Sequence, residues 1–282
     1  MRFQQSLLAS VVPAFVAAIA PPNIQGMKIV WSEDFEGPAG ASPNGGVWDV
    51  MDAINTNNEV QTYTTSNQNV QISGGGTVQF VPRKSPSGLW TSGRIETKGS
   101  WTPAPGKVMS IQANILLGSN PTANKQGIWP AFWALGDAMR HGTQWPAAGE
   151  IDILEQVNGA LTGYGTVHCG TSAGGPCNEP IGRAKTVAMP ADGFHTWGVT
   201  IDLTNSDWRA QTISWSLDGA TYSTLTGADI NDAPVWSSLA HSPLYVILNV
   251  AVGGDWPGKP NAATMDGYGS MMEVQWVSVY SS

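Results

Sequence analysis

Short stretches in which apolar and polar residues alternate recur along the chain from Lys28 onward and predict β-strands. They are rich in Val, Ile, Thr, Trp and Tyr, and clusters of Gly, Pro, Asn and Ser separate them. Clear instances are residues 69–73, 77–81, 108–115, 211–217 and 273–280. The alternation leaves each strand with one apolar and one polar face, which favours an antiparallel, all-β sandwich.

A helical pattern is confined to one short region near residues 228–239. Gly74, Gly75 and Gly76 stand between two predicted strands and predict a hairpin connection, because neither a Lys-Ser/Thr pair nor a helix follows them as in a phosphate-binding loop. The composition does not shift between residues 19 and 282, and no repeat or linker interrupts it. We therefore expect a single domain over 19–282.

Composition narrows the class of ligand. Charged residues make up 12% of the 282 residues, about half of the roughly 25% typical of soluble proteins. The net charge is −8 and the 13 Lys and Arg residues are scattered, which argues against nucleic acid and membrane as partners. The 13 Trp residues favour a neutral sugar, because aromatic faces stack on sugar rings, although about half of them are expected in the core.

The first residues have the pattern of a secretory signal. Met1-Arg2 supplies a positive charge, and a mostly apolar stretch runs over residues 7–18. We expect cleavage after residue 18, or as late as residue 20, and a secreted, extracellular protein. The alternative is an uncleaved strand or helix buried in the fold. No other stretch approaches the roughly 18 apolar residues of a membrane span.

Secretion permits a disulfide, and Cys169 and Cys177 are the only cysteines in the sequence. We expect them to be bonded across the short loop between them, with two buried free thiols as the alternative. A structural zinc site is disfavoured because it needs four Cys or His ligands.

One predicted strand concentrates three carboxylates, Glu150, Asp152 and Glu155, among apolar residues. On a regular strand Glu150 and Asp152 share a face, whereas Glu155 would fall on the core face, where an unpaired carboxylate is costly. Because Ile153 and Leu154 are consecutive apolar residues, a β-bulge there would return Glu155 to the polar face. The sequence therefore predicts three carboxylates in a row on one exposed face.

Carboxylates at this spacing raise one another's pKa, so at least one is expected to keep its proton while another is ionised. A retaining glycosidase needs these two states, one carboxylate as nucleophile and one carboxylic acid as proton donor. Aromatic residues accompany the strand, since the alternation puts Trp129 and Trp133 on one face and Trp145 lies shortly before Glu150. A calcium site and a solvated acidic strand are the alternatives at this point.

These features resemble glycoside hydrolase family 16, whose bulged catalytic strand carries the motif Glu-X-Asp-X-X-Glu, matched here by Glu150, Asp152 and Glu155. Further blocks are similar to the endo-β-1,3(4)-glucanase (laminarinase-like) branch of that family, in the same order, from about Ile29 to Tyr280. They are residues 57–64, 92–95, 129–133, 167–170, 194–197 and 248–258.

The resemblance implies a β-jelly-roll sandwich with an open substrate cleft on its concave sheet, and hydrolysis with retention of anomeric configuration. By position it implies Glu150 as the nucleophile, Glu155 as the general acid/base and Asp152 as the hydrogen-bonded partner between them. It also implies a set of substrate-binding residues: Asn58, Arg94, Trp129, Trp133, Trp145, Gln156, His168, Asn249 and Trp256.

Some of these residues have a structural alternative. Gln156 and Asn249, like Glu59, could instead hold the hydrogen-bond network of the cleft. A lone histidine on a strand is more often structural, but beside a carboxylate strand we expect His168 to orient an acid or a sugar hydroxyl. The other three histidines are interpreted as structural.

Members of the family often hold a calcium ion on the convex side, using a carboxylate of the last strand and groups near the segment Asp34-Phe35-Glu36-Gly37. The last strand here carries Gln275 where the family commonly has Asp. A neutral amide is a poorer ligand for a hard cation. We therefore predict no cofactor, no metal centre and no tight structural calcium.

The sequence thus predicts a secreted, monomeric, retaining endo-β-1,3(4)-glucanase that acts on laminarin-type and mixed-linkage β-glucans. The alternatives are a non-catalytic β-glucan-binding module, and a transglycosylase or hydrolase of the same fold that acts on another polysaccharide. The presence of both Glu150 and Glu155 argues against the binding module. Leu154 argues against xyloglucan-type enzymes, which usually lack the bulge residue, and the few basic residues argue against enzymes for anionic galactans.

Overall fold

A computed structural model describes residues 19–171 and 173–282. The signal segment predicted at residues 1–18 lies outside the described residues. Within the described part, eighteen strands form three sheets with few helical residues, which confirms the all-β prediction. In that same part, no helix has the length and apolar character needed to cross a membrane.

The strands follow the chain in short steps. Their bounds are β1 Lys28–Glu33, β2 Trp48–Val50, β3 Gln61–Tyr63, β4 Val70–Ile72, β5 Val78–Phe80, β6 Arg83–Lys84, β7 Trp90–Ser92, β8 Arg94–Thr97, β9 Val108–Leu117, β10 Ile128–Gly136, β11 Glu150–Glu155, β12 Thr162–His168, β13 Arg183–Ala188, β14 His195–Asp202, β15 Thr212–Leu217, β16 Ala220–Thr226, β17 Leu244–Val252 and β18 Met272–Ser281. Two short helices, α1 Gly227–Ile230 and α2 Ala233–Ala240, lie between β16 and β17.

Two large antiparallel sheets make the jelly roll. The seven-stranded sheet has the order β13-β12-β11-β10-β17-β8-β2, and the eight-stranded sheet has the order β16-β15-β14-β9-β18-β5-β4, with β1 paired to β18. A small third sheet, β3-β7-β6, contains a parallel pair between β3 and β7. The predicted glycine hairpin joins β4 to β5, which pair from Ile72 and Val78.

The core lies between the two large sheets, because the apolar faces of both contribute to one cluster of buried side chains. Phe132 of β10 and Ile151 of β11 meet Ile111 of β9 and Val199 of β14 in this cluster. Each such burial stabilises the fold by roughly 1.5–3 kcal/mol. Six of the 13 tryptophans are buried, as expected for about half of them: Trp48, Trp90, Trp197, Trp215, Trp236 and Trp276.

The opposite face of the seven-stranded sheet, called the cleft face here, carries a second and smaller apolar cluster. Leu135, Tyr245 and Ile247 are buried there, and Trp133 packs against them. These residues alternate with core residues along β10 and β17, as the period of a strand requires. The cleft face is therefore partly covered by side chains.

The helical pattern predicted near residues 228–239 corresponds to α1 and α2. Asn231 adopts a left-handed conformation with φ 52° and ends α1, and Asp232 caps the first turn of α2. One periodic segment in the sequence is thus two helices in the structure, because a residue with positive φ interrupts it.

Candidate active site

The predicted β-bulge is present in the middle of β11. On β10, Phe132 pairs with Leu154 and the next residue, Trp133, pairs with Asp152, so Ile153 has no partner on that strand. Two residues of β11 thereby occupy the place of one, which is the geometry of a bulge.

The bulge brings the three carboxylates to one face. Glu155 pairs with Ala131 of β10, and Glu150 pairs with Leu135 of the same strand. Both partners stand an even number of residues from Trp133, the partner of Asp152, so all three carboxylates lie on the cleft face. Trp215 supports the strand from below, because its indole nitrogen donates to the backbone oxygen of Asp152 at 2.7 Å.

The carboxylates are less exposed than the sequence suggested. Asp152 is 4% exposed and Glu155 is 8% exposed, and only Glu150 is partly open to solvent. The expectation of an exposed face is wrong, because the tryptophans and the neighbouring strand β12 cover two of the three acids. The site therefore holds its acids in a poorly solvated environment.

Burial controls the proton on Glu155. It raises the pKa of Glu155 from 4.5 to about 7, and the negative charge of Glu150 adds to the rise. The indole nitrogen of Trp129, which donates to Oε1 of Glu155 at 2.9 Å, opposes the shift, as does His168. Glu155 can therefore hold a proton near neutral pH and also release it.

Burial is also the first cause of the raised pKa of the other two acids. The pKa of Asp152 lies well above its ordinary value, with the charges of Glu155 and Glu150 as further causes. The pKa of Glu150 is raised as well, but His168, the indole of Trp145 and Arg94 oppose that rise. Loss of solvent thus outweighs the like-charge repulsion on which the sequence argument relied.

His168 faces the carboxylates from the end of β12, where it pairs with Glu150. Its Nε2 lies 4.0 Å from Oε1 of Glu150 and 3.6 Å from Oδ2 of Asp152. Its Nδ1 lies 2.8 Å from Oε2 of Glu179, a buried acid that no motif in the sequence singles out. The prediction that His168 stands on the strand beside the carboxylates is confirmed by this arrangement.

One atom each of Glu150, Asp152 and His168 lie within 4.8 Å of one another, a spacing that a divalent cation could bridge. A cation there would occupy the oxygen with which a nucleophilic carboxylate attacks. The spacing alone is not a sign of a metal centre.

Aromatic side chains line the site on the Glu155 side. The rings of Trp129 and Trp256 meet edge to face with centroids 5.5 Å apart, and Tyr164 meets Trp256 in the same way at 4.9 Å. Tyr164 was missed by the sequence interpretation, although it stands four residues before His168 on β12 and hence on the same face. The ring of Trp145 packs against His168 with centroids 5.4 Å apart.

A second group of predicted residues lies on β8 and β17. The indole nitrogen of Trp133 donates to Oδ1 of Asn249 at 2.8 Å, and the guanidinium of Arg94 lies 5.0 Å from the centre of the Trp133 ring. Glu96 holds Arg94 through two hydrogen bonds, at 3.0 and 2.6 Å. Arg94, Trp133 and Asn249 thus form one connected patch of the cleft face.

The chain before β3 completes this network. Asn249 donates to the hydroxyl of Tyr63 at 3.1 Å, and Glu59 accepts from Gln61 at 2.5 Å and from Tyr63 at 3.5 Å. Glu59 is therefore satisfied by protein donors, which supports the interpretation that it holds the network. Asn58 donates to both carboxylate oxygens of Asp255, at 2.9 and 3.0 Å, and so ties its loop to the loop that carries Trp256.

Gln156 is placed differently from the other predicted residues. Its side chain donates to the sulfur of Met189 at 3.2 Å and lines a separate cavity of about 240 Å³ together with Lys125 and Trp197. Among the described residues, no hydrogen bond joins its side chain to the three carboxylates. Because Gln156 follows Glu155 directly, the alternation of the strand turns it away from the cleft face.

The predicted disulfide between Cys169 and Cys177 is present. The position that bears on calcium, Gln275, accepts a hydrogen bond from Nδ2 of Asn114 at 2.7 Å. The amide oxygen of Gln275 therefore already has a partner within the eight-stranded sheet, and the prediction of no tight calcium stays a prediction.

Comparison with known proteins gives a consistent family. A family model described as "XgeA-like, catalytic GH16 domain" matches residues 91–192. The solved structure of an endo-1,3-beta-glucanase from Streptomyces sioyaensis is similar over 93% of this chain and 99% of its own, with 37% identity and a TM-score of 0.88.

Two curated relatives are similar over most of the chain. A beta-glucanase of Rhodothermus marinus is 29% identical over 269 residues, which are 90% of this chain and 85% of the relative. The glucan endo-1,3-beta-glucosidase A1 of Niallia circulans is 29% identical over 296 residues, and the match spans 92% of this chain but 38% of that longer protein.

Proposed function

The chain belongs to glycoside hydrolase family 16, and we propose that it is a secreted, retaining endo-β-1,3(4)-glucanase. The observation that carries the proposal is the bulged strand β11, which holds Glu150, Asp152 and Glu155 on one poorly solvated face. The relatives named as endo-1,3-β-glucanases and β-glucanases support β-glucan as the substrate.

In the first step, Glu150 acts as the nucleophile. An oxygen of its carboxylate forms a bond to the anomeric carbon while the bond from that carbon to the glycosidic oxygen breaks. Glu155 gives its proton to the departing oxygen, which leaves as a hydroxyl. The pKa of about 7 suits Glu155 to this task, because it is protonated in mildly acidic solution and is not too weak an acid to donate.

In the second step, the ionised Glu155 removes a proton from a water molecule. The water oxygen forms a bond to the anomeric carbon, and the bond between that carbon and Glu150 breaks. Glu150 returns to a carboxylate and Glu155 to a carboxylic acid. Two inversions at one carbon give a product with the configuration of the substrate.

Asp152 contributes to the state of its neighbours. Burial and its two acidic neighbours raise the pKa of Asp152 well above the ordinary value, which disfavours a second negative charge beside the nucleophile. His168 has the opposite effect on charge, since it favours the ionised form of Glu150. Together they let Glu150 be ionised while Glu155 is protonated.

The cleft face suits an uncharged, hydroxyl-rich chain. Trp256 and Trp145 are the large apolar residues of the site that remain exposed, and they present rings on which sugar can stack. Arg94 and Asn249 offer hydrogen-bond donors on the other side of the site. The apolar segment at residues 7–18 supports secretion, and we propose that the enzyme acts outside the cell as a monomer on laminarin-type and mixed-linkage glucans.

The first prediction concerns the two glutamates. Glu150→Ala and Glu155→Ala are each expected to lower laminarin hydrolysis by at least about 10³-fold, because they remove the reacting groups. Both variants should remain folded and show a cooperative thermal unfolding transition. Reducing-sugar release measures the hydrolysis. Glu273→Gln, on the eight-stranded sheet, is the matched control and should hydrolyse laminarin normally. Full activity in either alanine variant would contradict the assignment.

Substrate class is tested by product analysis on laminarin, barley β-glucan and agarose side by side, with the anomer released first identified by proton NMR. We expect oligosaccharides from both glucans, the β-anomer first, and none from agarose. A wild-type protein that binds laminarin without cleaving it would instead indicate a binding module.

A further inference from the structure

Glu179 is a buried acid that takes no part in the steps above. It is 6% exposed, and both of its carboxylate oxygens have partners. Oε2 lies 2.8 Å from Nδ1 of His168, and Oε1 accepts from the backbone N–H of Cys169 at 2.8 Å. A buried carboxylate is costly unless it is paired and hydrogen-bonded, so its presence beside His168 calls for a reason.

The loop that carries Glu179 is fixed at several points. The disulfide joins Cys169, which directly follows His168, to Cys177, two residues before Glu179. Glu179 and Gly174 exchange two backbone hydrogen bonds, at 2.8 and 2.6 Å. The disulfide and this pairing place the Glu179 carboxylate beneath the imidazole.

Close packing around the imidazole leaves the ring little freedom. Gly182 has φ +77°, and a Cβ added to it would meet Cε1 of His168 at 2.7 Å. The ring of Trp145 packs against the same imidazole. His168 is thus held between the loop and the cleft.

The partner of Nδ1 decides what Nε2 can do. Oε1 of Glu179 accepts from the backbone N–H of Cys169, which leaves Oε2 to pair with the imidazole. We assign the hydrogen of this bond to Nδ1 of His168, with Oε2 of Glu179 as the acceptor, and Nε2 is then turned toward Glu150 and Asp152.

We propose that Glu179, placed by the Cys169–Cys177 loop, is a positioning residue that orients His168 toward Glu150 and Asp152 and so keeps the nucleophile ionised. The inference rests on the glucanase activity proposed above. It adds a chain of contacts from a disulfide loop to the nucleophile, in which Glu179 acts only through His168.

Several groups around the nucleophile determine the direction in which the pKa of Glu150 should change. His168, Arg94 and the Trp145 indole lower the pKa of Glu150, whereas the charge of Glu179 itself raises it slightly. Asp152 faces both Glu150 and His168. Loss of the Glu179 charge alone would therefore lower the pKa of Glu150, whereas loss of an oriented His168 would raise it.

The experiment measures kcat, KM and the pH profile of kcat/KM on laminarin for wild type, Glu179→Gln, His168→Gln and the double variant. We expect Glu179→Gln to lower kcat roughly 10- to 100-fold, to change KM less than twofold and to move the acidic limb to higher pH. In the His168→Gln background the same change should not lower kcat further.

A matched control exists elsewhere in the chain. In the turn between β15 and β16, Asp218 accepts from the backbone N–H of Thr196 at 2.9 Å and pairs with Nδ1 of His195 at 2.7 Å, the same two contacts that Glu179 makes. Asp218→Asn should leave kcat and the acidic limb unchanged. This separates the role of Glu179 from any general effect of breaking a His–carboxylate pair.

Three results would overturn the proposal: kcat of Glu179→Gln within twofold of wild type, an acidic limb that moves to lower pH, or effects of the two single variants that multiply in the double variant. If Glu179→Gln does not fold, the double variant Cys169→Ala/Cys177→Ala takes its place, and wild-type kcat with an unmoved acidic limb would overturn the proposal. A wild-type protein without laminarin hydrolysis would instead refute the glucanase activity.

Discussion

Trp129 and Glu155 show how a single hydrogen bond sets the acid of the site. Burial raises the pKa of Glu155 to about 7, and the Trp129 indole, donating at 2.9 Å, keeps it from rising further. A donor to a carboxylate favours the charged form. One aromatic residue therefore has two tasks, as part of the sugar-binding wall and as a control on the proton donor.

The second prediction follows from this bond. Trp129→Phe keeps an aromatic ring but removes the N–H, so the pKa of Glu155 should rise and the alkaline limb of kcat/KM should move up by about one pH unit. Trp256→Phe is the control, because Trp256 lines the same wall with an exposed ring. It should raise KM and leave the limb in place. An unmoved limb in Trp129→Phe would refute the role of the indole.

The third prediction concerns the effect of Glu155 on the stability of the protein. Its pKa in the folded protein, about 7, lies above the ordinary value of 4.5, so the folded state binds this proton more tightly than the unfolded chain does. The resulting stability is complete below pH 4.5 and is lost as the pH rises through 7.

Glu155→Gln, which cannot ionise, should therefore be more stable than wild type at pH 8, on the order of 1–3 kcal/mol, and equal to it at pH 4. Urea unfolding at the two pH values measures the difference. A variant that is less stable than wild type at pH 8 would contradict the raised pKa.

At the scale of elements, β11 depends on the eight-stranded sheet that packs against it. Trp215 of β15 reaches through the core to hold the backbone of Asp152, and Gly165 of β12 leaves room for its ring. A Cβ on Gly165 would lie 2.5 Å from Cδ1 of Trp215 and 2.6 Å from the hydroxyl of Tyr222. The glycine thus allows the eight-stranded sheet to support the catalytic strand.

The fourth prediction tests this packing. Gly165→Ala should destabilise the protein by about 1–3 kcal/mol and lower its activity, because the added methyl displaces Trp215. Gly45→Ala is the matched control, since a Cβ there meets nothing within 4 Å and should change the melting temperature little. Equal melting temperatures for the two variants would show that Trp215 is not held as described.

The elements also show which parts of the site a sequence can predict. The bulge in β11 was predictable because Ile153 and Leu154 break a strict alternation that the three carboxylates require. Glu179 was not, because its role depends on a loop closed by a disulfide and not on any periodicity. Gln156 was assigned to the substrate-binding residues on the basis of the resemblance, although the alternation of the strand turns its side chain away from the cleft face.

For the whole molecule, few charges and many aromatic residues have a common explanation in an uncharged substrate. We also predict that the whole molecule holds no tightly bound calcium ion. Gln275 stands where a carboxylate would be needed and its amide oxygen already accepts from Asn114.

In the fifth prediction, excess EDTA should shift the melting temperature by less than about 1 °C, because a tight structural ion would contribute several degrees. Differential scanning calorimetry with and without the chelator measures the shift. A fall of several degrees that added calcium reverses would show that the fold does hold the ion.

More of the fold than of the burial and pKa values of the acids could be predicted from the sequence. Alternation along the chain indicated the strands, and the family resemblance indicated their arrangement in two sheets. Neither indicated that Asp152 and Glu155 would be almost fully buried, because burial depends on how Trp129, Tyr164 and Trp256 meet from three separate segments. The order of causes for the raised pKa values therefore required the structure.

Retaining hydrolysis requires that Glu150 form a covalent bond to the sugar. Incubation with 2-deoxy-2-fluoro-β-laminaribiosyl fluoride, followed by proteolysis and mass spectrometry, tests it directly. The fluorine at C2 slows both steps, whereas the fluoride leaving group speeds only the first, so the covalent intermediate accumulates. We predict one laminaribiosyl group attached to Glu150. A label on Glu155 or Asp152, or turnover of the reagent with no labelled peptide, would contradict the claim.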